Sequence, residues 1–278
     1  MENSEKKGFF ELLSPKSALV VGIVAGFLVI CTIGFIVLGV MALTRGINSP
    51  AGKTGSPSIV DDAAAATTGP VAEAPKSDKP VVELFVMSYC PYGLQMEKAY
   101  LPVMELLKDK ATMDIKFVSY AMHEKKEIDE NTRQYCIQKD QASKFVAYLK
   151  CFTGKDDYKA CLKEAGVSES KVNSCVTKAD KEFGITAKYN DQSSWLSGQF
   201  PIYPVHAAQN EQYGVQGSPT LVINGSQVDA ARSPEAVKQT VCGAFNNPPA
   251  ECAQTLSTQS AGAGFGTSVG AATDASCS

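Results

Sequence analysis

The sequence predicts an α/β domain that is preceded by one transmembrane helix. Residues 18–43 are apolar or small and carry no charge, and their number is about that needed to span a hydrocarbon core as a tilted helix. Between residues 81 and 245, short apolar runs of strand type alternate with longer runs of helical period. Composition leaves room for one sizeable core, which we place at residues 80–252.

The apolar run at residues 18–43 fits an uncleaved anchor better than a cleaved signal peptide. It is too long for the apolar core of a signal peptide, and no Ala-x-Ala cleavage site lies directly after it. Three lysines precede the run and two basic residues follow it, so residues 1–17 are predicted to be cytoplasmic and the C-terminal domain extracytoplasmic. Disulfides form and persist in such a compartment. Gly22 and Gly26 make one G-x-x-x-G pattern, which gives weak support to a dimer.

Two segments of biased composition flank the domain. Residues 46–79 are rich in Ala, Pro, Ser, Thr and Gly and are predicted to be a flexible linker with ends on the order of 30 Å apart. Residues 253–278 consist largely of Gly, Ala, Ser and Thr, and we expect no fixed structure there. The net charge of -3 and the lack of a long basic run give no reason to expect nucleic acid as a partner.

The domain begins with the pattern strand, helix, strand. Residues 81–87 form a strand-like run that is apolar apart from Glu83. Residues 93–107 have a helical period with an interruption or kink expected at Pro102, and residues 113–120 alternate. This order predicts two parallel strands joined by a crossover helix.

A helical insertion follows at about residues 123–186. We expect three short helices there, broken near Thr153 and Gly154 and again near Gly166. A further short helix is predicted at residues 205–213.

The last part of the domain is a hairpin and a helix. Asn224 and Gly225 separate two short apolar runs and predict a type I′ turn. Ser233 is in position to cap a final helix that extends to about Phe245, with Pro234 in its first turn.

Cys90 lies where the first strand meets the first helix, in the motif Cys90-Pro91-Tyr92-Gly93. A strand that leads into a helix places the sulfur near backbone N–H groups at the positive end of the helix dipole, which favours a thiolate nucleophile. Gly93 occupies the position of the second cysteine of a redox pair. The alternative is that Cys90 is a buried, inert thiol.

The order of elements and motifs resembles the thioredoxin superfamily, and more narrowly its DsbA-like extracytoplasmic branch, which also carries a helical insertion. Two separated motifs support the resemblance: Cys-Pro-Tyr-Gly at the start of a helix, and Ser218-Pro219-Thr220 before the hairpin. The resemblance covers about residues 81–245 and implies a thioredoxin-like fold.

The resemblance also implies roles for residues near the sulfur. Pro219 would follow a cis peptide bond and face Cys90, and the backbone of Ser218 would contact a bound peptide, with Tyr89 and Tyr92 lining the approach. From the residues alone, Pro219 could instead belong to an ordinary trans turn before an edge strand.

Two departures from the family pattern bear on activity. Gly93 cannot attack a mixed disulfide as a second cysteine would. The position in the first strand that often holds a proton-relay carboxylate is Leu84, with Glu83 one residue before it. A shift of one residue turns a strand side chain to the other face, so Glu83 suits a relay only if a bulge intervenes.

Six of the nine cysteines are predicted to form disulfides. The four in the insertion allow three connectivities, and nested pairing suits antiparallel helices. A third disulfide would join the last helix to the chain after it and contribute about 2–3 kcal/mol in the chain-entropy model. The expected pairs are Cys136 with Cys175, Cys151 with Cys161, and Cys242 with Cys252.

The remaining cysteines and the two histidines suggest no metal site and no cofactor. There is no C-x-x-C spacing, and only His123 and His206 are available, which we interpret as surface or loop residues. Cys31 lies in the predicted span and is interpreted as a small apolar residue. Cys277 is a candidate for a distant resolving thiol or for a link between two chains.

These observations predict a membrane-anchored extracytoplasmic protein that exchanges thiols and disulfides through a mixed disulfide at Cys90, as a monothiol reductase or isomerase. Its expected partners are cysteine-containing extracytoplasmic proteins, with release by the substrate's own thiol, a small thiol, a membrane redox partner or Cys277. The alternative is a weakly active or inactive thioredoxin-like domain that binds extracytoplasmic polypeptides. Gly93 favours the alternative, whereas Cys90 at a helix start argues against it.

Overall fold

The computed structural model describes residues 73–269. In this range no helix is both long and apolar enough to cross a membrane. The cytoplasmic segment predicted at residues 1–17, the span predicted at residues 18–43, most of the predicted linker, Cys31 and Cys277 all lie outside the described residues.

Among the described residues, four strands form one mixed sheet in the order β2-β1-β3-β4. β1 (Val81–Val86) and β2 (Thr112–Phe117) are parallel and are joined by helix α1 (Pro91–Leu107). β3 (Thr220–Ile223) pairs antiparallel with β1, and β4 (Ser226–Val228) pairs antiparallel with β3. This sheet order, with the helix crossover and the late hairpin, is a thioredoxin-like arrangement, as expected.

Strand β1 is central in the sheet and is buried on both faces. Val82, Leu84 and Val86 belong to the main core, whereas Phe85 and Met87 belong to a smaller apolar cluster. Successive side chains of a strand point to opposite faces, so the two clusters lie on opposite sides of the sheet.

Helix α1 begins at Pro91, two residues earlier than predicted, and Cys90 is its N-cap. Proline suits the first helical position because that residue needs no backbone N–H. Pro102 lies inside the helix, which continues to Leu107. The helix packs against α3 (Ala142–Lys155) and α8 (Pro234–Gly243), which accounts for the burial of most of its side chains.

The insertion contains five helices in the described chain rather than the three predicted. They are α2 (Glu124–Asp140), α3, α4 (Tyr158–Glu164), α5 (Glu169–Phe183) and α6 (Ile185–Asn190). Gln141 separates α2 from α3 with φ -141° and ψ 42°. Its side chain exchanges two hydrogen bonds with the backbone of Ser168, at 2.9 and 3.2 Å. This break depends on a distant contact and has no local sequence signal.

The other breaks lie close to their predicted positions. Helix α3 passes Gly154 and ends at Lys155, and the next residue, Asp156, caps it with a left-handed φ of 50°. Gly166, with φ 63°, lies between α4 and α5.

Three disulfides are present in residues 73–269, in the nested pairing that we expect for the insertion. Cys136–Cys175 joins α2 to α5, and Cys151–Cys161 joins α3 to α4. Cys242–Cys252 joins α8 to a 3₁₀ turn at Ala250–Ala253. Two disulfides therefore link helices within the insertion, and the third links the last helix to the chain that follows it.

The second half follows the sequence prediction closely. Helix α7 spans Ala207–Tyr213. Asn224 and Gly225 have φ values of 50° and 82°, the positive values that a type I′ turn requires at both central positions. The hydroxyl oxygen of Ser233 accepts the N–H of Ala236 at 3.3 Å and caps α8.

The predicted linker extends less far than its composition suggests. The N–H of Ser77 donates to the carbonyl of Ala244 at 2.9 Å, and the N–H of Asn246 donates to the carbonyl of Ser77 at 2.9 Å. The chain around Ser77 thus belongs to the folded domain and not to a flexible linker through residue 79.

The C-terminal segment, residues 254–269, also differs from expectation, since we expected no fixed structure from residue 253 onward. The Lys98 ammonium on α1 donates to three carbonyl oxygens of this segment, at 2.7, 2.7 and 3.1 Å. These belong to Gly262, Gly264 and Gly266. We expected disorder because the segment has few apolar side chains to bury. Its order comes instead from backbone carbonyls that bind an amine elsewhere in the fold, and composition does not predict such bonds.

His206 is a loop residue, as interpreted, but it is buried rather than on the surface. Its Nδ1 accepts the N–H of Phe117 at 3.0 Å, and its ring stacks on the Phe117 ring with centroids 5.8 Å apart. Burial, with a smaller effect of the Lys116 charge, lowers the pKa of His206 to about 3. The fold therefore contains the neutral imidazole at the end of β2.

We expect His206 to make the chain less stable as the pH falls below 6.5. The unfolded chain then binds a proton that the folded chain does not, so stability present above pH 6.5 is lost towards pH 3, by up to about 1.4 kcal/mol per pH unit. His206→Gln keeps a side-chain acceptor and does not titrate, so it should lose less stability between pH 7 and pH 5. Guanidinium unfolding of the full chain at both pH values measures this, and equal losses in the two proteins would contradict it.

Candidate active site

Cys90 is the residue immediately before α1, and only 3% of its surface is exposed. Its carbonyl accepts the N–H of Leu94, and its own N–H donates to the carbonyl of Met87, both at 2.9 Å. These two bonds hold the loop between β1 and α1 from both ends. The sulfur lies at the N-terminus of a 17-residue helix, where the sequence predicts it.

Cys90 belongs to the smaller apolar cluster, on the sheet face opposite the main core. Its buried neighbours there are Phe85, Met87, Val118, Val215 and Val222, and the partly buried rim consists of Tyr92, Tyr120, Met122 and Tyr213. Burial raises the pKa of Tyr120, and the nearby Cys90 adds to the increase. The rim therefore offers large, partly accessible side chains next to the sulfur.

Ser218 and Pro219 lie directly against Cys90. The peptide bond between them is cis, as the resemblance implies. The Cys90 thiol donates to the Ser218 carbonyl with a sulfur–oxygen distance of 3.5 Å, and the Ser218 hydroxyl oxygen accepts the N–H of Met87 at 2.9 Å. The fold thus brings together two motifs that are 128 residues apart in the chain.

Gly93 lies in the first turn of α1, where Ser218 approaches the helix. A Cβ built on Gly93 would lie 2.6 Å from the Ser218 hydroxyl oxygen, 3.1 Å from the Met87 carbonyl oxygen and 3.3 Å from the Cys90 Cβ. The first distance is shorter than atoms can approach without displacement. Close approach therefore accounts for glycine at this position.

Glu83 does not meet the condition that we set for a proton relay. Every residue of β1 pairs in unbroken register with β2, so there is no bulge, and Glu83 lies on the sheet face of Phe85 and not on that of Leu84. Its carboxylate lies 3.6 Å from the Lys116 ammonium, and Leu84 points into the main core.

Two buried side chains of α2 hold the loop that leads to Cys90. The side-chain oxygen of Asn131 accepts the N–H of Ser88 at 3.1 Å. The Glu127 carboxylate accepts the N–H of Tyr89 at 3.3 Å and that of Met122 at 2.9 Å. Both side chains are completely buried. The insertion thus positions the loop before Cys90 through hydrogen bonds to its backbone.

Sequence reasoning missed this support. Glu127 and Asn131 are four residues apart and share one face of α2, but a polar pair at this spacing usually faces solvent. His123 contributes as well, because its Nδ1 lies 2.6 Å from the Glu127 carboxylate.

The two tyrosines of the motif region have different surroundings. The ring of Tyr89 meets Phe152 and Phe265 edge-on, with centroids 5.8 and 5.5 Å apart. Burial, together with Asp156, raises the pKa of Tyr89. Tyr92 lies 4.8 Å from the Arg232 guanidinium, measured to the ring centroid. Tyr89 is thus packed between the insertion and the C-terminal segment, while Tyr92 is part of the rim.

The C-terminal segment covers one side of the motif. The N–H of Gly264 donates to the carbonyl of Pro91 at 2.9 Å. One turn further along α1, the Gln95 side chain donates to the carbonyl of Ala261 at 2.7 Å. The segment expected to be disordered therefore touches the residue next to Cys90.

Helix α1 also carries a fully buried acid, Glu97. Within residues 73–269, neither of its carboxyl oxygens has a hydrogen-bond partner. Burial raises its pKa well above the ordinary range, and nearby Glu130 adds to the increase. The neutral acid is the form that this environment favours.

In the described part of the chain, no group of three His, Cys, Asp or Glu side chains could hold a metal ion. The two histidines are engaged elsewhere, His123 with Glu127 and His206 with the backbone of Phe117.

The chain is similar to several solved structures. It is 18% identical to reduced DsbA from Mycobacterium tuberculosis, covering 66% of this chain and 93% of that chain with a TM-score of 0.45. It is 19% identical to reduced DsbG from Mycobacterium tuberculosis, covering 66% of this chain and 88% of that chain with a TM-score of 0.43. It is 16% identical to oxidised BdbD from Bacillus subtilis, covering 62% of this chain and 95% of that chain with a TM-score of 0.39. No protein-family model and no curated protein matches the chain. At these identities, its function has to be inferred from its own site.

We expect Asn131→Leu to destabilise the full chain by about 1–3 kcal/mol, because the buried N–H of Ser88 then lacks an acceptor. Asn173→Leu is the matched control, since Asn173 is exposed on α5, and its effect should stay within about 0.5 kcal/mol. Guanidinium unfolding compares the two variants. Equal effects would show that Asn131 does not support the loop.

Proposed function

We propose that this chain is a membrane-anchored extracytoplasmic protein that exchanges thiols and disulfides through Cys90, as a monothiol reductase or isomerase of protein disulfides. The observation that carries the proposal is the contact of the Cys90 sulfur with the Ser218 carbonyl at 3.5 Å, at the start of α1 and next to the cis bond before Pro219. A helix N-terminus, a partly accessible apolar rim and a backbone carbonyl then surround one sulfur. The helix N-terminus favours a thiolate at this sulfur, and the rim and the Ser218 carbonyl offer contacts to an extended peptide.

The reaction balances without a cofactor. The Cys90 thiolate attacks one sulfur of a substrate disulfide, so a mixed disulfide forms and the other substrate sulfur leaves as a thiolate. A second thiolate then attacks the mixed disulfide and Cys90 leaves as a thiolate. If that thiolate belongs to the substrate, the disulfide is rearranged; if a small thiol or a partner supplies it, the substrate is reduced.

The substrates in this proposal are cysteine-containing extracytoplasmic proteins. Backbone groups at Ser218 and Pro219 hold the peptide next to the sulfur, and Tyr92 lines the approach from the rim. Tyr89 contributes by fixing the position of the loop before Cys90, because its ring packs against Phe152 and Phe265.

We include Cys277 in the proposal as a resolving thiol, alongside small thiols and a membrane redox partner. Gly264 is hydrogen-bonded to Pro91, Ala261 bridges to Val269, and the eight residues after Val269 can extend over up to about 28 Å.

The cellular location is proposed from two features of different kinds. The uncharged run at residues 18–43 suits a membrane anchor. The three disulfides suit an oxidising compartment outside the cytoplasm.

A second candidate function is a domain that binds extracytoplasmic polypeptides without turnover. The pairing of Glu83 with Lys116 favours it, because it leaves the first-strand carboxylate in an ion pair instead of beside the sulfur. In that case Cys90 would form adducts but would not accelerate the reduction of a disulfide peptide by glutathione.

The proposal predicts disulfide-linked adducts that depend on Cys90. Cells that express the full chain are quenched with acid, their thiols are alkylated, and adducts are identified by mass spectrometry. The adducts should disappear in Cys90→Ser and persist in Cys31→Ser, which changes a cysteine in the predicted span. Identical adducts in Cys90→Ser would rule out Cys90 as the site.

If Cys277 resolves the mixed disulfide, Cys277→Ser should increase the trapped adducts several-fold while leaving their identity unchanged. The increase follows because the second attack is lost and the first is not. Quantitative mass spectrometry of the same adducts in wild type and in Cys277→Ser measures it. Unchanged amounts would assign resolution to another thiol.

A further inference from the structure

Gly93 occupies a helical position at which a side chain would ordinarily be favourable. Glycine is among the residues least suited to a helix interior. Gly154, in helix α3, has no atom within 4 Å of a Cβ built on it, so a side chain fits there. At Gly93 the built Cβ lies 2.6 Å from the Ser218 hydroxyl oxygen. Both glycines are helical, and they differ in the space that is available for a side chain.

The Ser218 hydroxyl cannot move away freely. Its oxygen accepts the N–H of Met87 at 2.9 Å, and Met87 is 2% exposed. Rotation of the hydroxyl would leave this N–H without its acceptor, and buried donors in proteins are rarely left unpaired. The backbone itself therefore holds the oxygen where a side chain at position 93 would begin.

We propose that Ser218 restricts the site to one cysteine, because its hydroxyl oxygen occupies the place that the Cβ of a second motif cysteine needs. Gly93 and Ser218 act as a pair in this respect. A substitution at either position has an effect that depends on the other. The consequence for catalysis rests on the proposed thiol exchange at Cys90, but the exclusion itself is steric and is measured without any substrate.

The test is the formation of a disulfide between Cys90 and a thiol introduced by Gly93→Cys. The full chain carries Cys277→Ser throughout, so that this thiol does not compete, and Gly93→Cys is compared with Gly93→Cys combined with Ser218→Ala. In a glutathione buffer, two protein thiols and one oxidised glutathione give one protein disulfide and two reduced glutathiones. Peptide mass spectrometry after acid quenching gives the equilibrium constant.

We expect this constant to be at least tenfold larger in the combined variant, which corresponds to about 1.4 kcal/mol. Equal constants, or a larger constant with Ser218 present, would overturn the proposal. The outcome does not depend on turnover. Loss of Cys90-dependent adducts in cells would overturn the proposed function and leave this steric result unaffected.

A second comparison applies if Gly93→Cys does not fold. Gly93→Ala should lower the thermal midpoint in the presence of Ser218 and lower it less, or raise it, in a Ser218→Ala background. Gly154→Ala is the control, and it should raise the midpoint equally in both backgrounds because its Cβ meets open space. The same shift for Gly93→Ala in both backgrounds would overturn the proposal.

Discussion

The contact between the first turn of α1 and Ser218 is the constraint on which the site depends. The Ser218 carbonyl lies 3.5 Å from the Cys90 sulfur, and its hydroxyl oxygen accepts the N–H of Met87 in the loop before the helix. A single residue thereby joins the end of β1, the start of α1 and the loop before β3. The same closeness leaves no room for a side chain at Gly93. The reactive position and the absence of a second motif cysteine have one structural origin.

The helical insertion and the C-terminal segment both contact the loop before Cys90 and stabilise its position. Asn131 and Glu127 of α2 accept backbone N–H groups of the loop through their side-chain oxygens, and among the described residues the buried Nδ2 of Asn131 has no hydrogen-bond partner. Phe265 of the C-terminal segment packs on Tyr89, and Lys98 binds three backbone carbonyls of that segment. Two disulfides close the insertion, so α2 is supported by the helices that it packs against. Parts that look peripheral in the sequence are thus structural neighbours of the sulfur.

In the proposed function, a motif with one cysteine changes which step of thiol exchange the protein controls. Attack on a substrate disulfide needs only Cys90 and its surroundings, whereas release needs a thiol from elsewhere. The C-terminal segment, whose continuation contains Cys277, is hydrogen-bonded to Pro91. In the proposed function, the choice between rearrangement and reduction depends on which thiol arrives first at the mixed disulfide.

The sequence by itself determined the features that depend on nearby residues. The strand and helix around the motif and the turn at Asn224 and Gly225 follow from local patterns. The cysteine spacing favoured nested pairing in the insertion but left three connectivities open, and the fold decided between them. Only the tertiary structure decided the break at Gln141, the burial of Glu127 beneath the reactive loop, the order of the C-terminal segment and the tight approach at Gly93. Each of these depends on a partner distant in the chain, and hydrophobic period and composition contain no information about such partners.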